Sequence, residues 1–412
     1  MHLRKIITFI MLIAASVLYG CGGTEEGITS IVIWEQKDPE EQVLLERHLG
    51  EFREMHPEVE VSTVHFETDK LHSQFQTAAL AGGGPDLVYG PGDKVGPYSV
   101  MDLIIPLEEE YPQGYFDSFR EGSVPSLGGH IYAVPDQVGN HLMLIYNREL
   151  VEKAPEDTGE WISMAKELTV DPDGNGIPDR YGVVFNFMEP FWLVPFLGGY
   201  GGWVVDEDMN PTLDTEPMLS ALRLLSDMRN KYRILPRESN YEVSDAMFKQ
   251  GHAAFIINGP WSLKAYMDAG LDIAVIPIPK IAQTGSYPTP TLSSKGYSIS
   301  VNVPGKKLEM VKELASYLTS ARVQREITSE LLILPSRKEI YEDEELFENE
   351  ILRGSMRAAQ KGRPMPLIPE MRAIWDAIRP FYQSVMGGRM EPAEAAGKMQ
   401  ERADQKIEEM KG

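Results

Sequence analysis

The chain has 412 residues and a formal net charge of -23, with 62 acidic residues against 39 lysines and arginines. This length is sufficient for two domains with sizeable cores. The acidic balance disfavours nucleic acids and anionic lipid surfaces as partners. Cys21 is the only cysteine, which excludes an intramolecular disulfide and a thiolate metal cluster.

The first twenty residues are typical of a bacterial lipoprotein signal peptide. Two basic residues precede an apolar run at 6–18, which is too short for a membrane span. The following residues, up to Cys21, resemble a lipobox, so we predict that 1–20 are removed and that Cys21 carries a lipid anchor. An ordinary secretory signal with an incidental cysteine is the alternative. Residues 21–27 are predicted to be a short tether.

The next part of the chain alternates between strand and helix patterns. Strand patterns occur at 31–34, 59–64 and 86–89, and helical spacing of apolar residues occurs at 40–55 and 71–81. This alternating order predicts an α/β domain with a mostly parallel sheet. In such sheets ligands bind beyond the carboxyl ends of the strands.

The middle and the end of the chain predict a second α/β lobe. The predicted strands are 132–135, 142–147, 181–185, 253–257, 273–276 and 296–301, and the predicted helices are 161–168, 218–232, 243–250 and 307–320. Residues 280–294 are rich in Pro, Thr, Ser and Gly, which is typical of a crossing segment or surface loop. From residue 339 onward the pattern is mostly helical.

Three aromatic and charged clusters, far apart in the chain, have the chemistry of a sugar site. They are Glu189-Pro190-Phe191-Trp192, Asn258-Gly259-Pro260-Trp261 and Trp375-Asp376-Ala377-Ile378-Arg379. Indole planes suit the apolar face of a pyranose ring, and carboxylates and Arg forks suit its hydroxyl rim. No catalytic base–nucleophile pair accompanies them, so they favour capture of a carbohydrate over its cleavage.

With these clusters the chain resembles the family 1 extracellular solute-binding proteins of sugar ABC importers, and most closely the maltose/maltodextrin-binding proteins. The matching stretches, in family order, are 83–89 with Asp93, 144–147, 185–191, 257–261 and 366–379. The resemblance implies the α/β, periplasmic-binding-protein-like fold, in which two lobes close around a ligand at a hinge. It also implies an ABC permease and its ATPase as partners.

The same resemblance implies the division of the chain between the lobes. The N-terminal lobe is expected at 28–138 plus 291–336, and the C-terminal lobe at 139–290 plus 337–412. Each lobe is expected to be a mostly parallel sheet flanked by helices.

The resemblance assigns the C-terminal lobe most of the sugar contacts. Trp261 and Trp375 are expected to stack on sugar rings, while Arg379 makes a polar contact and Glu189 accepts hydroxyl hydrogen bonds. Phe191 stands where the maltose-binding pattern has Tyr, so it can stack but cannot hydrogen-bond. Packing in the core, for the tryptophans, and a solvated turn, for Glu189, are the alternatives.

In the N-terminal lobe, Asp93 and Lys94 match an acidic–basic pair of the family. Lys replaces Arg there, so a single donor replaces a bidentate fork. Asp38, following Lys37, only loosely matches a second such pair. Gly90 stands where the maltose-binding pattern has Trp, and the missing ring is expected to widen the cleft. A sugar ligand remains the expectation, but its identity is left open.

A separate loop resembles a calcium site. Asp171, Asp173, Asn175 and Asp179 supply oxygens at positions 1, 3, 5 and 9, with a glycine at position 6 and the carbonyl of Ile177 as a further ligand. The twelfth position is a glycine instead of the bidentate Glu. An Asx-rich surface loop without metal is the alternative.

Together these features predict a lipid-anchored, extracytoplasmic and monomeric substrate-binding subunit of a carbohydrate ABC importer. It would capture an oligosaccharide by hinge closure and deliver it to the permease, without a cofactor apart from a possible structural calcium ion. One alternative is a secreted glycoside hydrolase, which needs two carboxylates across a glycosidic bond. The other is a sugar-sensing binding protein for a membrane receptor.

Overall fold

The computed structural model describes residues 28–411, so the predicted signal peptide and the whole predicted tether, including Cys21, lie outside the described residues. Within this range no helix is long and apolar enough to cross a membrane.

The described chain contains thirteen strands and thirteen α-helices. The strands are β1 (Thr29–Glu35), β2 (Val59–His65), β3 (Leu87–Pro91), β4 (Ser126–Leu127), β5 (His130–Ile131), β6 (Val134–Gln137), β7 (Met143–Asn147), β8 (Tyr181–Val184), β9 (Ala253–Asn258), β10 (Ile273–Ile276), β11 (Thr291–Leu292), β12 (Lys295–Ile299) and β13 (Arg363–Pro364). The helices are α1 (Pro39–Met55), α2 (Thr68–Leu80), α3 (Val95–Val100), α4 (Thr158–Leu168), α5 (Val194–Gly199), α6 (Glu216–Ser226), α7 (Tyr241–Lys249), α8 (Leu263–Asp268), α9 (Gly305–Leu318), α10 (Ala321–Leu331), α11 (Glu350–Ala359), α12 (Met371–Met386) and α13 (Pro392–Lys411).

The long strands form two separate sheets. The first has the order β2–β1–β3–β12–β6, in which β1 runs parallel to β2 and β3 while β12 runs antiparallel to β3 and β6. The second has the order β10–β7–β9–β8, and only β8 and β9 are parallel.

The expectation of mostly parallel sheets is therefore wrong in this detail, because both sheets are mixed. A parallel neighbour requires a long crossover within the same sheet. The chain instead passes directly from β6 in the first sheet to β7 in the second, and β12 enters the first sheet after β10 of the second. The lobe boundaries expected from the sequence remain a prediction.

The first β–α unit shows how local sequence places a loop at the carboxyl edge of the first sheet. In β1 the side chains of Ile31 and Ile33 are fully buried. Asp38 then begins α1 as its N-cap, with a capping box formed with Glu41 and with Pro39 in the first turn. The strand and the helix are thus joined by only three residues, 36–38, which are held at the strand end.

The second lobe is built around α12 and α13, which pack against each other and against α6. Most of α12 is apolar on the side that faces this core, including Ile374, Ile378 and Tyr382. Helix α10, which has Ser320 as its N-cap and packs on α1, was not predicted from the sequence. Residues 218–232, predicted to be one helix, form α6 followed by a π-helical turn, Asp227–Lys231.

Candidate functional site

Two of the three predicted clusters are joined by an ion pair. The guanidinium of Arg379, on α12, donates to the Glu189 carboxylate from Nη2 at 2.8 Å and from Nε at 3.2 Å. Each side chain is about one-third exposed, at 34%. The turn that carries Glu189 is also tied to α12 by Gln383, which donates to the carbonyl of Met188 at 2.9 Å. Glu189 and Arg379 are therefore brought together as a preformed polar pair.

The remaining cluster, Asn258-Gly259-Pro260-Trp261, adjoins the first cluster through Trp192. Its indole Nε1 donates to the carbonyl of Ile257 at 2.9 Å, one residue before the Asn-Gly-Pro-Trp turn. That bond places the 189–192 turn against the end of β9. The three clusters, although far apart in the sequence, thus form one contiguous region.

The position of Trp261 depends on the glycine two residues before it. A Cβ on Gly259 would lie 2.0 Å from the Cζ3 atom of the Trp261 ring, so only glycine allows the indole to fold over the backbone. The turn is held by Asn258, which donates to the hydroxyl of Tyr266 at 2.7 Å. Lys295, on β12 of the other sheet, has its ammonium 5.4 Å from the ring centre.

The predicted stacking residues Trp261, Trp375 and Phe191 are all half-buried and pack against the same hydrophobic core of the second lobe. Phe191 also meets Trp192 edge to face at 5.5 Å. Each of the three rings is thus fixed at its base and retains accessible surface. Their role in stacking on a sugar remains a prediction.

The loop after β1 contains a buried charged network. The ammonium of Lys37 lies 2.9 Å from Asp136, 3.8 Å from Glu41 and 3.6 Å from the ring centre of Tyr89. Burial alone would lower the pKa of Lys37, but Asp136 and the neighbouring phenols and carboxylate hold it well above 10.5. Gln137 completes the network by donating to Glu41 at 2.9 Å and to the Tyr89 hydroxyl at 2.6 Å. Lys37 therefore holds the loop in place instead of reaching into the cleft.

Asp38, the next residue, lies near charged groups of both lobes, Lys295 on β12 and Asp245 on α7. Burial, with the nearby carboxylate of Glu41, raises its pKa from 3.8 to about 7, while Lys295 opposes the rise. Asp245, on α7 of the second lobe, adds to the rise, and burial together with Asp38 raises the pKa of Tyr241 on the same helix. Since Lys295 also lies over Trp261, Asp38 and Trp261 are brought to the same region from opposite sheets.

Asp93 and Lys94 form the predicted pair at the end of β3. Their charged groups are 3.3 Å apart, and the side chains are 12% and 23% exposed. Lys94 lines a cavity together with Gly90 and His72. The described contacts do not join Asp93 or Lys94 directly to the indole rings.

Two contacts connect helices of the first lobe with the second lobe. One joins α2 to α12, and the other joins α3 to the segment just before α12. Arg372 donates to His72 Nε2 at 2.8 Å and to Gln76 Oε1 at 3.3 Å, both on α2. A Cβ on Gly96 would lie only 2.2 Å from the carbonyl oxygen of Leu367, so the two backbones are in direct contact. The structure thus has the two halves pressed together beside the aromatic clusters.

The predicted calcium loop lies apart, between α4 and β8. Carboxylate oxygens of Asp171, Asp173 and Asp179 are within 4.8 Å of one another. The carboxylates are also used locally, because Asp171 accepts from the backbone N–H of Gly176 at 2.8 Å and Asp173 from Asn175 at 3.1 Å. The latter bond lowers the pKa of Asp173. The side chain of Ile177 is exposed.

Sequence reasoning missed four polar or aromatic residues of this region: Lys295, Tyr241, His72 and Arg372. A lysine next to a glycine at the start of a predicted strand, as in Lys295-Gly296, was the one available signal. The others lie on helices whose spacing gives no sign of what the opposite lobe contributes.

Chemically, the region combines half-buried aromatic faces with carboxylates, an Arg fork and lysines drawn from both sheets. Aromatic faces and charge-assisted hydrogen bonds are what a saccharide requires. A solute held between the two halves would contact both of them.

Comparisons with known proteins agree with this chemistry. The profile of a family described as bacterial extracellular solute-binding protein matches residues 49–353. The chain is 25% identical over 367 residues to the maltotriose-binding protein of Pyrococcus abyssi, with 88% of this chain and 78% of that protein covered. It is 24% identical over 427 residues to the galactooligosaccharide-binding protein of Bacillus subtilis, with 98% and 97% covered.

Solved structures confirm the fold class. The maltose/maltodextrin-binding domain from Bdellovibrio bacteriovorus bound to maltotriose matches with a TM-score of 0.90 and 37% identity, over 92% of this chain and 100% of that one. The maltotriose-binding protein of Thermus thermophilus, at 23% identity, supports the fold alone, with a TM-score of 0.83 over 92% and 100%. The two-lobe α/β architecture expected from the sequence is confirmed, and so is the family resemblance.

Proposed function

Because the chain belongs to the bacterial extracellular solute-binding proteins, we propose that it captures a maltooligosaccharide outside the cytoplasm for a carbohydrate ABC importer. The arrangement that carries the proposal is the set of half-buried rings, Trp261, Trp375 and Phe191, on one core beside the Glu189–Arg379 pair. The similarity to a maltotriose-bound domain at 37% identity supports the same class of ligand. A galactooligosaccharide is the second candidate, since one relative that aligns over 98% of the chain is named for it.

Proteins of this family bind solutes and are not enzymes, so the expectation of a binding protein instead of a glycoside hydrolase is confirmed. Binding of this kind needs no cofactor. In the proposed mechanism the sugar docks on the rings of the second lobe and closure adds Asp38, Asp93 and Lys94 from the first. The added contacts stabilise the closed form relative to the open one.

The test is a titration of the mature chain with maltotriose, maltose, a galactooligosaccharide and cellobiose, followed by calorimetry and thermal melting. We expect maltotriose to bind and to raise the melting temperature by mass action. Cellobiose, with its β linkage, is the control and is expected to leave the melting temperature unchanged. Binding of the galactooligosaccharide alone would replace the proposed ligand by the second candidate. A chain that binds none of these sugars would refute the proposal.

We also propose that Cys21 is lipidated and that the anchored, monomeric protein delivers its sugar to a permease and ATPase. Relatives named as lipoproteins in Streptococcus pneumoniae support the anchor. In cells, the parent should fractionate with membranes, and a Cys21→Ser variant should be released or retain its signal peptide. The permease should co-purify with the sugar-loaded chain, and light scattering should give the mass of a monomer. Failure of the first would contradict delivery to the permease, and failure of the second would contradict the monomeric state.

The loop of Asp171, Asp173, Asn175, Ile177 and Asp179 is proposed as a calcium site. Three carboxylates within 4.8 Å of one another, with the Asn175 amide and the Ile177 carbonyl nearby in sequence, are hard oxygen ligands. Calcium should raise the melting temperature of the chelator-treated protein, and Asp171→Asn should abolish that rise. Asp208→Asn, in another exposed acidic turn, is the control. The same melting curve with and without calcium would contradict the site.

A further inference from the structure

One cavity in the first lobe contains a buried polar group that the described fold does not use. It lies beside β3 and is lined by Gly90, Gln36, His72 and Lys94, among others. It is small, with room for about one water-sized group, and it is partly open to solvent. The cavity is next to the Asp93–Lys94 pair, so it adjoins the proposed sugar site.

Gly90 keeps this cavity open. A Cβ on Gly90 would meet only the side-chain amide of Gln36, at 3.8 Å, which is ordinary contact distance. Gly90 does not have a positive φ, so the strand has no conformational need for glycine at this position. The consequence of the glycine is therefore the space itself, which a larger side chain would fill.

The hydrogen-bonding state of His72 follows from its neighbours. Arg372 approaches its Nε2 atom at 2.8 Å, and a guanidinium can only donate. Nε2 must therefore accept, so the proton of the neutral ring is on Nδ1. Burial, with Lys94 and Arg372, lowers the pKa of His72 from 6.5 to about 3, which keeps the ring neutral. A stacked Tyr98, at 5.2 Å, fixes the ring plane.

The Nδ1–H donor of His72 is left without an acceptor in the described part of the chain. His72 is 7% exposed, and its Nδ1 atom has no hydrogen-bond partner among residues 28–411. Buried donors are almost always paired, because leaving one unpaired costs its full desolvation. An acceptor from outside the protein is therefore expected in the cavity that the ring lines.

We propose that the cavity at Gly90 receives a hydroxyl group of the bound oligosaccharide and that His72 donates to its oxygen from Nδ1. This inference rests on the proposed function and adds a specificity-determining residue to it. Lys94 and Gln36, at the same cavity, are a further donor and a donor–acceptor for the group. Arg372 is then a positioning residue, because it sets the tautomer of His72 without needing to touch the sugar.

The test distinguishes the roles of the two ring nitrogen atoms of His72. Gln places a polar atom near the position of Nε2 and can still accept from Arg372, whereas Asn places an amide N–H near the position of Nδ1. Maltotriose is titrated by calorimetry against the mature parent, His72→Gln, His72→Asn and Gly90→Val, with melting temperatures as the check on folding.

We expect His72→Gln to bind maltotriose about threefold to tenfold more weakly, as for one lost hydrogen bond. His72→Asn should stay closer to the parent, and Gly90→Val should lose more than His72→Gln because it fills the cavity. In nitrogen-15 spectra, the His72 Nδ1–H signal of the parent should shift when maltotriose is added.

Four results would overturn the inference in distinguishable ways. Parent-like affinity of both His72→Gln and Gly90→Val would mean that the cavity holds only water. Weak binding by His72→Asn with normal binding by His72→Gln would mean that His72 acts only through Arg372. An unshifted Nδ1–H signal on binding would exclude contact with the sugar. A parent that binds no maltooligosaccharide would refute the proposed function, and the inference would fall with it.

Discussion

Replacing Lys37 by Met tests whether the buried network at the end of β1 is organised as the structure shows. The side chains of Lys37, Asp136 and Glu41 are only 4%, 2% and 3% exposed. Across 2.9 Å, the attraction between Lys37 and Asp136 is roughly 6 kcal/mol at an effective dielectric constant of about 20, before the desolvation of both groups is subtracted. Removing one partner from such a pair leaves a buried, unpaired carboxylate and costs about 3–5 kcal/mol.

The assay is urea unfolding followed by tryptophan fluorescence. With a slope of about 2–3 kcal/mol per molar urea, Lys37→Met should lower the midpoint by roughly 1–2 M. The matched control is Arg47→Met, which removes an ion pair with Glu330 whose side chains are 45% and 41% exposed. That variant should lose less than about 1 kcal/mol.

A third variant identifies the cause of the loss. Lys37→Met combined with Asp136→Leu replaces the pair by apolar groups and should recover part of the stability, because no carboxylate is then left unpaired at Asp136. Equal and small losses for Lys37→Met and Arg47→Met would refute the reasoning. So would a double variant that is less stable than Lys37→Met alone.

Three further predictions follow from the site. Trp261→Ala and Trp375→Ala should each weaken maltotriose binding by roughly 1–3 kcal/mol of lost aromatic burial, measured by calorimetry; parent-like affinity in both would remove the rings from the site. The raised pKa of Asp38, about 7 against 3.8, means that its contribution to stability is most favourable below about pH 4 and is lost as the pH rises to 7. Asp38→Asn, which keeps an N-cap, should thus gain stability relative to the parent as the pH rises from 4 to 7. A difference in the free energy of unfolding between the two proteins that stays constant over this range would contradict the prediction. Gly96→Ala should push apart the backbone contact with Leu367, because an added Cβ would lie 2.2 Å from the Leu367 carbonyl oxygen. Small-angle scattering of the sugar-bound form should then show a more open particle than the parent, and a particle of the same dimensions would contradict this.

Much of the fold is local in origin and was therefore accessible from the sequence. The Asp38–Glu41 capping box and the apolar face of α1 define that helix without reference to the rest of the molecule. Trp375 and Arg379 share a face of α12 because of helical spacing alone. Helix α10 was missed although its N-cap Ser320 is a local signal, because two of the four residues that it buries, Gln324 and Thr328, are polar and weaken the apolar pattern.

The directions of the sheet strands could not be read in the same way. A strand pattern records which side chains are buried and contains no information about the neighbour with which the strand pairs. Val134–Gln137 and Met143–Asn147 are consecutive in the chain but belong to different sheets. Only the assembled sheets show that β12 runs antiparallel to both of its neighbours.

The amino-acid sequence specifies the chemistry available to this protein: indole rings, carboxylates, an Arg fork and a glycine where a ring is expected. The folded molecule shows how that chemistry is used. Lys37, which follows a loosely matching sugar-binding motif, is sequestered by Asp136. His72, which no sequence pattern singles out, has one nitrogen fixed by Arg372 and the other without a hydrogen-bond partner within residues 28–411. The reason is physical: the charge state and orientation of a buried polar group depend on neighbours from distant parts of the chain, and those neighbours meet it only after folding.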